Sequence, residues 1–216
     1  MRKIAKRVGY EPPSLTQWKR KNPNKRYHQM DDSLKCREVR QDIRTACTQE
    51  QFFLCAYCCQ AISGGSTDTM NEHVVARELD PNRTLDFTNI VASCRTLGQC
   101  DDSHQSQALP VTPFMDECET ELKFKISGRV EGLSEDAITS IKILNLGDDE
   151  KNNKALIERR KRFVDGILWK NGIDPDDGLD DDELLSDLID SMTKPHNGKL
   201  VPFTPVALNI LRQWIV

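Results

Sequence analysis

At 216 residues, with 38% hydrophobic and 30% charged side chains, the chain is long enough for one sizeable core and has an ordinary water-soluble composition. No apolar run approaches the roughly 20 residues of a membrane span, and Met1-Arg2-Lys3-Ile4 lacks the apolar stretch of a secretory leader, so a cytoplasmic protein without a membrane partner is expected. The net charge of −4 conceals an asymmetry: residues 1–46 hold 13 Lys and Arg against 5 Asp and Glu, while residues 173–190 hold nine acidic residues and no basic one. A locally basic surface is all that contact with a phosphate backbone requires.

Taken in chain order, the first 30 residues are rich in Lys, Arg, Pro and Asn, and Pro12-Pro13 and Asn22-Pro23-Asn24 predict an extended basic arm. Leu34, Val39, Ile43 and Cys47 fall on one face of a helix expected over 32–51. A Cys-rich stretch, 53–59, precedes the turn composition Ser63-Gly64-Gly65-Ser66. Residues 68–75 read as a strand and 76–88 as loop. After Pro110, alternation over 121–126 and a turn at Ser127-Gly128-Arg129 predict two short strands. Three helices follow: one N-capped by Ser134 and running to about 145, one over about 150–170 that stops near Asn171-Gly172, and one starting at Thr204-Pro205 as N-cap and first residue. Phe163, Ile167 and Trp169 read as core. The acidic stretch from Asp174 fails as a calcium loop, because Gly178 is one place early and Leu185 holds the twelfth position, where a Glu ligand is needed. It reads as a solvated loop and helix start.

The chemistry-bearing residues lie between these parts. Eight cysteines without a secretory leader argue for metal ligation over disulfides. Cys55-x-x-Cys58 has the spacing of a zinc knuckle, and Cys94 and Cys100 supply a second pair if 95–99 bulges out, which Gly98 eases. Cys59 is an alternative to Cys58, though a poorer chelate; Cys36, Cys47 and Cys118 read as buried core. Between the pairs, Asn71-Glu72-His73 sets a carboxylate beside a histidine, Asn89 follows sixteen residues later, and His104 lies four past the last cysteine. His28 and His196, in polar turn-like contexts, have no assigned role.

The order Cys-x-x-Cys, Glu-His, Leu-Asp-Phe-Thr-Asn-Ile, Ser-Cys, Cys-x-x-x-His resembles the HNH endonucleases. That resemblance implies an α+β fold: a ββα-metal, treble-clef-like core stapled by zinc on Cys55, Cys58, Cys94 and Cys100, with mainly helical N- and C-terminal additions. It divides the chain into a basic arm and helix (1–50), the nuclease core (51–110) and a helical, partner-docking region (111–216). It implies His73 as general base and Glu72 as ligand of a catalytic Mg²⁺ or Mn²⁺. Asn89 either orients the base or joins the metal. His104 or Asp101 completes the metal site, with His104 favoured.

The chemistry suits those residue types. A neutral imidazole activates water near pH 7, hard cations take oxygen ligands, and zinc takes thiolates. The Met-Arg-Lys-Ile start, Cys-Ala-Tyr-Cys after a helix, and Ile143-Leu144-Asn145-Leu146 with Arg159-Arg160 further resemble the HNH subunits of Septu anti-phage systems (PtuB type), including those attached to retrons. The implied partners are an ATPase subunit of ABC/SMC type (PtuA-like), a nucleic-acid substrate (DNA, or RNA such as tRNA) and retron RNA–DNA. Two other classes compete: a non-catalytic zinc-binding adaptor, which needs the cysteines but not Glu72, His73 or Asn89, and a DNA-binding regulator acting through the basic arm.

Overall fold

The computed structural model describes residues 1–149, 151–175 and 181–215. The fold is mixed α and β: two two-stranded antiparallel sheets set among helices, with one hydrophobic cluster drawing on all three stretches of the chain. No helix among the described residues is long and apolar enough to cross a membrane.

The N-terminal stretch departs from the extended arm expected of it. Pro13 opens helix α1 (Pro13–Lys21) instead of breaking one, because its fixed φ suits a first helical position where no amide donor is needed. Leu15 and Trp18, three apart, bury the inner face of α1. Much of the local positive charge is spent within the chain. Lys3 pairs with Asp116 at 2.5 Å, Lys19 with Glu11 at 2.6 Å, and Lys6 and Arg7 with Glu50 at 2.7 and 3.3 Å. The Ile4 amide donates to the Pro113 carbonyl at 2.7 Å, and Met1 is buried.

Helix α2 (Leu34–Glu50) begins at Ser33, whose hydroxyl accepts from the Cys36 amide, and buries Cys36, Val39, Ile43 and Cys47 along one stripe. Its C-terminal Gln51 is buried. The Gln51 side-chain amide pairs with both backbone groups of Ala92, at 2.7 Å each, as a neighbouring strand would. Strand β1 (Thr69–His73) pairs with β2 (Ile90–Cys94) in the register Thr69↔Cys94 to His73↔Ile90. Sequence reading missed β2, and the reason is physical: all five residues are buried, so no alternation marks it. The one-turn helix α3 (Asp101–His104) follows and completes a ββα unit.

Beyond α4 (Glu117–Thr120), strands β3 (Leu122–Phe124) and β4 (Val130–Gly132) form the expected hairpin. Helix α5 (Glu135–Ile143) is capped by Ser134, as expected, and α6 (Lys154–Lys170) starts four residues later than expected, at the cap Asn153. Helix α7 (Asp182–Thr193) was legible only as a helix start. Asp181 caps it, and Leu185, Leu188 and Ile189 bury one face; the rest of the acidic stretch lies partly outside the described residues. Helix α8 (Thr204–Leu211) is preceded by Phe203 in the left-handed region, so Thr204 is its first residue, not its cap. Trp169 is 59% exposed and so is not core, whereas Phe163 and Ile167 pack against the core from its edge. Cys36, Cys47 and Cys118 are buried free thiols, in agreement with their reading as core.

The buried Lys6–Glu50 pair ties the N-terminus to the start of β2, since Lys6 Nζ also donates to the Ile90 carbonyl at 2.8 Å. Removing one partner of such a pair strands a buried charge. Glu50→Ala is therefore expected to cost about 3 kcal/mol, read as a fall in the urea midpoint; a change below about 0.5 kcal/mol, typical of surface sites, would contradict this placement.

Candidate metal and catalytic site

The four cysteines converge. Cys55 and Cys58 come from the turn after α2, Cys94 ends β2, and Cys100 immediately precedes α3. Their sulfurs all lie within 4.8 Å of one another, and all four residues are buried. A tetrahedral zinc with Zn–S bonds of about 2.3 Å sets its sulfurs about 3.8 Å apart; Cys55–Cys100 and Cys58–Cys94 lie at 3.8 and 3.9 Å. The donor set therefore fits a structural zinc. Cys59, though buried and adjacent, is not in the group.

Electrostatics point the same way. Thiol donation from Cys100, Cys55 and Cys58 holds the Cys94 thiol well below its ordinary range, while burial pushes those of Cys58 and Cys100 up. A dication bound by all four sulfurs removes that conflict. The Cys94 amide also donates to Cys55 Sγ at 3.3 Å, and Gln99 Nε2 lies 3.5–3.9 Å from the sulfurs of Cys94, Cys58 and Cys100.

The ββα frame sets the remaining residues. Alternation along β1 puts Asn71 and His73 together against Tyr27: the Asn71 amide donates to the Tyr27 hydroxyl at 2.9 Å, and the rings of Tyr27 and His73 meet edge-on at 4.9 Å. His73 is buried, with Nε2 2.9 Å from the Thr84 carbonyl. A carbonyl only accepts, so Nε2 carries the proton and Nδ1 keeps its lone pair. Burial holds the His73 pKa below the ordinary histidine value, against the opposing effects of the Thr84 carbonyl and Glu72. This imidazole is neutral at pH 7.

Glu72 faces the other way. Its Oε1 accepts from the Tyr57 hydroxyl at 3.1 Å and lies 2.5 Å from His104 Nδ1, while Oε2 accepts from the His73 amide at 3.0 Å. Burial opposes ionisation of Glu72, but hydrogen bonds from His104, Asp101 and Tyr57 outweigh it and its pKa is lowered. Asp101 carries the complementary effect: burial, then the hydrogen bond and charge of Glu72, raise it to about 8. His104 Nε2 is 2.7 Å from the Gln107 carbonyl, which fixes the ring with Nδ1 toward Glu72. Glu72, Asp101 and His104 thus come together, and both candidates for the last position reach the same carboxylate.

Asn89 does not join them. Its side chain is spent on the Val75 backbone, accepting from the amide at 2.9 Å and donating to the carbonyl at 3.0 Å. The clamp fixes the chain leaving His73 and leaves the Asn89 amide bonded at both ends.

A cleft of about 510 Å³ opens over these groups. Its lining includes Glu72, His73, Asp101 and four arginines, Arg40, Arg44, Arg77 and Arg95. Arg44 Nε is buried with no hydrogen-bond partner among the described residues, and burial and the charges of Arg40 and Arg95 lower its pKa against the opposing effect of Tyr27. Like charges held together favour an anion between them. Sequence reasoning gave none of these arginines, nor Tyr27 or Tyr57, a role in the site. Tyr57 carried a signal, an aromatic inside the Cys-x-x-Cys knuckle; the arginines come from three distant segments and carried none.

Neither protein-family models nor curated proteins give a match to this chain.

Zinc analysis of the purified chain should give one ion per molecule, and Cys94→Ser should lose it. Chelation is expected to lower the melting temperature by roughly 10 °C or more, since structural zinc contributes folding energy directly. A melting curve indifferent to strong chelators would contradict a structural metal here.

Proposed function

We propose that the chain is a metal-dependent endonuclease of HNH type that hydrolyses phosphodiester bonds of nucleic acid. The observation that carries this reading is His73: a buried neutral imidazole with its Nε2 proton committed to the Thr84 carbonyl and its Nδ1 unprotonated, in a cleft lined by four arginines. A structural histidine has no need of a cleft in which four arginines meet the carboxyl groups of Glu72, Glu78, Asp101 and Asp102, and an adaptor that only binds zinc has no need of Glu72 joined to His104.

In this reading His73 Nδ1 takes a proton from the attacking water, which the Asn89 clamp and the Tyr27 ring edge help to aim by fixing the imidazole. The arginines bind and orient the anionic backbone. Glu72 and His104, with Asp101 beside them, would hold a catalytic Mg²⁺ or Mn²⁺. Such an ion supplies Lewis-acid stabilisation of the phosphorane-like charge and of the leaving oxygen. The oxygen and nitrogen donors suit it, but Glu72 Oε1 and His104 Nδ1 at 2.5 Å must separate, because neighbouring ligands at about 2.1 Å from a cation lie about 3 Å apart. The resemblance to Septu nuclease subunits supports a further role as effector of an anti-phage complex with an ABC/SMC-type ATPase. The exposed Trp169 on α6 belongs to the region that would dock such a partner.

His73→Ala should retain zinc and a cooperative fold, with a melting temperature lowered by the lost packing and Thr84 bond, yet cut plasmid DNA or tRNA at least about a hundredfold more slowly in Mg²⁺ at a temperature where it stays folded. Wild-type cleavage by that variant would leave the adaptor reading. The pH profile has a fixed sign: protonation of His73 removes the base, so activity falls as pH drops through a pKa below about 6.5 and does not fall between pH 7 and 8 on its account.

A further inference from the structure

Arg160 sits in the middle of α6 with no exposed surface. A buried guanidinium needs a counter-charge or full hydrogen bonding, and Arg160 has few bonds: Nη1 donates to the Leu146 carbonyl at 2.6 Å and weakly to Gly128 at 3.5 Å, while Nε and Nη2 have no partner among the described residues. The Phe124 ring lies 5.0 Å below its guanidinium. Burial lowers its pKa; the charges that act to raise it are those of Cys58, Cys59 and Cys100. Two of these are ligands of the four-sulfur cluster.

The chain between them is short and tied at both ends. Cys100, itself in the left-handed region at φ 54°, donates its amide to the Leu144 carbonyl at 2.9 Å, and Leu146, two residues on, accepts from Arg160. A second tie runs in parallel. Asn153, the N-cap of α6, donates through Nδ2 to Gln99 Oε1 and to the Asn145 carbonyl, both at 2.9 Å, which turns the Gln99 amide nitrogen onto three sulfurs. Both ties start on α6 and end at the cluster.

A zinc tetrathiolate carries a net charge of −2, and burying that charge is unfavourable unless donors and cations surround it. We propose that Arg160 and the Gln99 amide form the charge-balancing shell of the four-cysteine metal site, so that metal loading and the docking of α6 stabilise each other. The guanidinium acts as a fixed positive charge tied to the cluster through Leu146, Leu144 and the Cys100 amide; the amide acts as a direct N–H donor to the sulfurs. Without metal, Arg160 is a buried cation with little to balance it. With metal, each buried charge offsets the other. This inference rests on the cysteine geometry and is independent of the nuclease reading.

The test uses the full chain, with zinc affinity measured by competition with a chromophoric chelator and the thiolate-to-metal charge-transfer band read after Co²⁺ substitution. Arg160→Met is expected to weaken zinc binding about tenfold or more, whereas Arg160→Lys, which keeps the charge, stays within about threefold of wild type. Gln99→Leu is expected to shift the Co²⁺ band, because a sulfur that loses an N–H donor donates more strongly to the metal, and to weaken zinc, because the buried −2 charge loses a donor that offsets it. Wild-type zinc affinity in Arg160→Met, or an equal loss in the Lys and Met variants, overturns the role of the charge. Should Arg160→Met not fold, Arg160→Lys decides alone: retained affinity supports the proposal and a tenfold loss overturns it. An unchanged affinity and Co²⁺ spectrum in Gln99→Leu overturns the role of the amide.

Discussion

Four sulfurs within 4.8 Å of one another are the constraint on which the rest of the site depends. They join a turn after α2, the end of β2 and the start of α3, three points that short-range forces alone would not hold together. Strand β2 is five residues long and a lone two-stranded sheet is marginal in water. Its position is held instead by the cluster at one end, by the Gln51 amide along its edge, and by Lys6 at the Ile90 carbonyl. Because β1 pairs with β2 in fixed register, the sulfurs also set where Glu72 and His73 lie.

From that frame two different electrostatic environments emerge within one turn of chain. His73 is buried yet loses its charge, since its one strong partner is a carbonyl and burial disfavours the cation. Glu72, one residue before it, is as deeply buried and keeps its charge, since His104, Asp101, Tyr57 and the His73 amide all donate to it. The strand's alternation separates the two outcomes. A neutral imidazole and a group of carboxyls side by side, in a cleft with four arginines, form an arrangement that costs stability and gains it back with an anion or a cation present.

Much of this was legible in the sequence where the pattern was local. The stripe Leu34, Val39, Ile43, Cys47 marked α2, although Leu34 itself is exposed; the Ser134 cap marked α5; the Ser127-Gly128-Arg129 turn marked the second hairpin; and the cysteine spacing marked the metal cluster. What escaped depended on partners far along the chain. Strand β2 is buried on every side and shows no period. Helix α1 begins at a proline whose role depends on whether it starts or interrupts a helix. Nor did the sequence show that the Asn89 amide bonds the Val75 backbone at both ends, since Val75 lies fourteen residues away. Arg160 stands beside Arg159 in the sequence, and only burial distinguishes the two.

The most direct test of the account is anomalous diffraction from crystals of the zinc-loaded chain soaked in Mn²⁺. A zinc peak is expected among Cys55, Cys58, Cys94 and Cys100, with a separate manganese peak at Glu72 and His104, within reach of a water on His73 Nδ1. Manganese absent from the arginine-lined cleft, or bound there without Glu72, would contradict it.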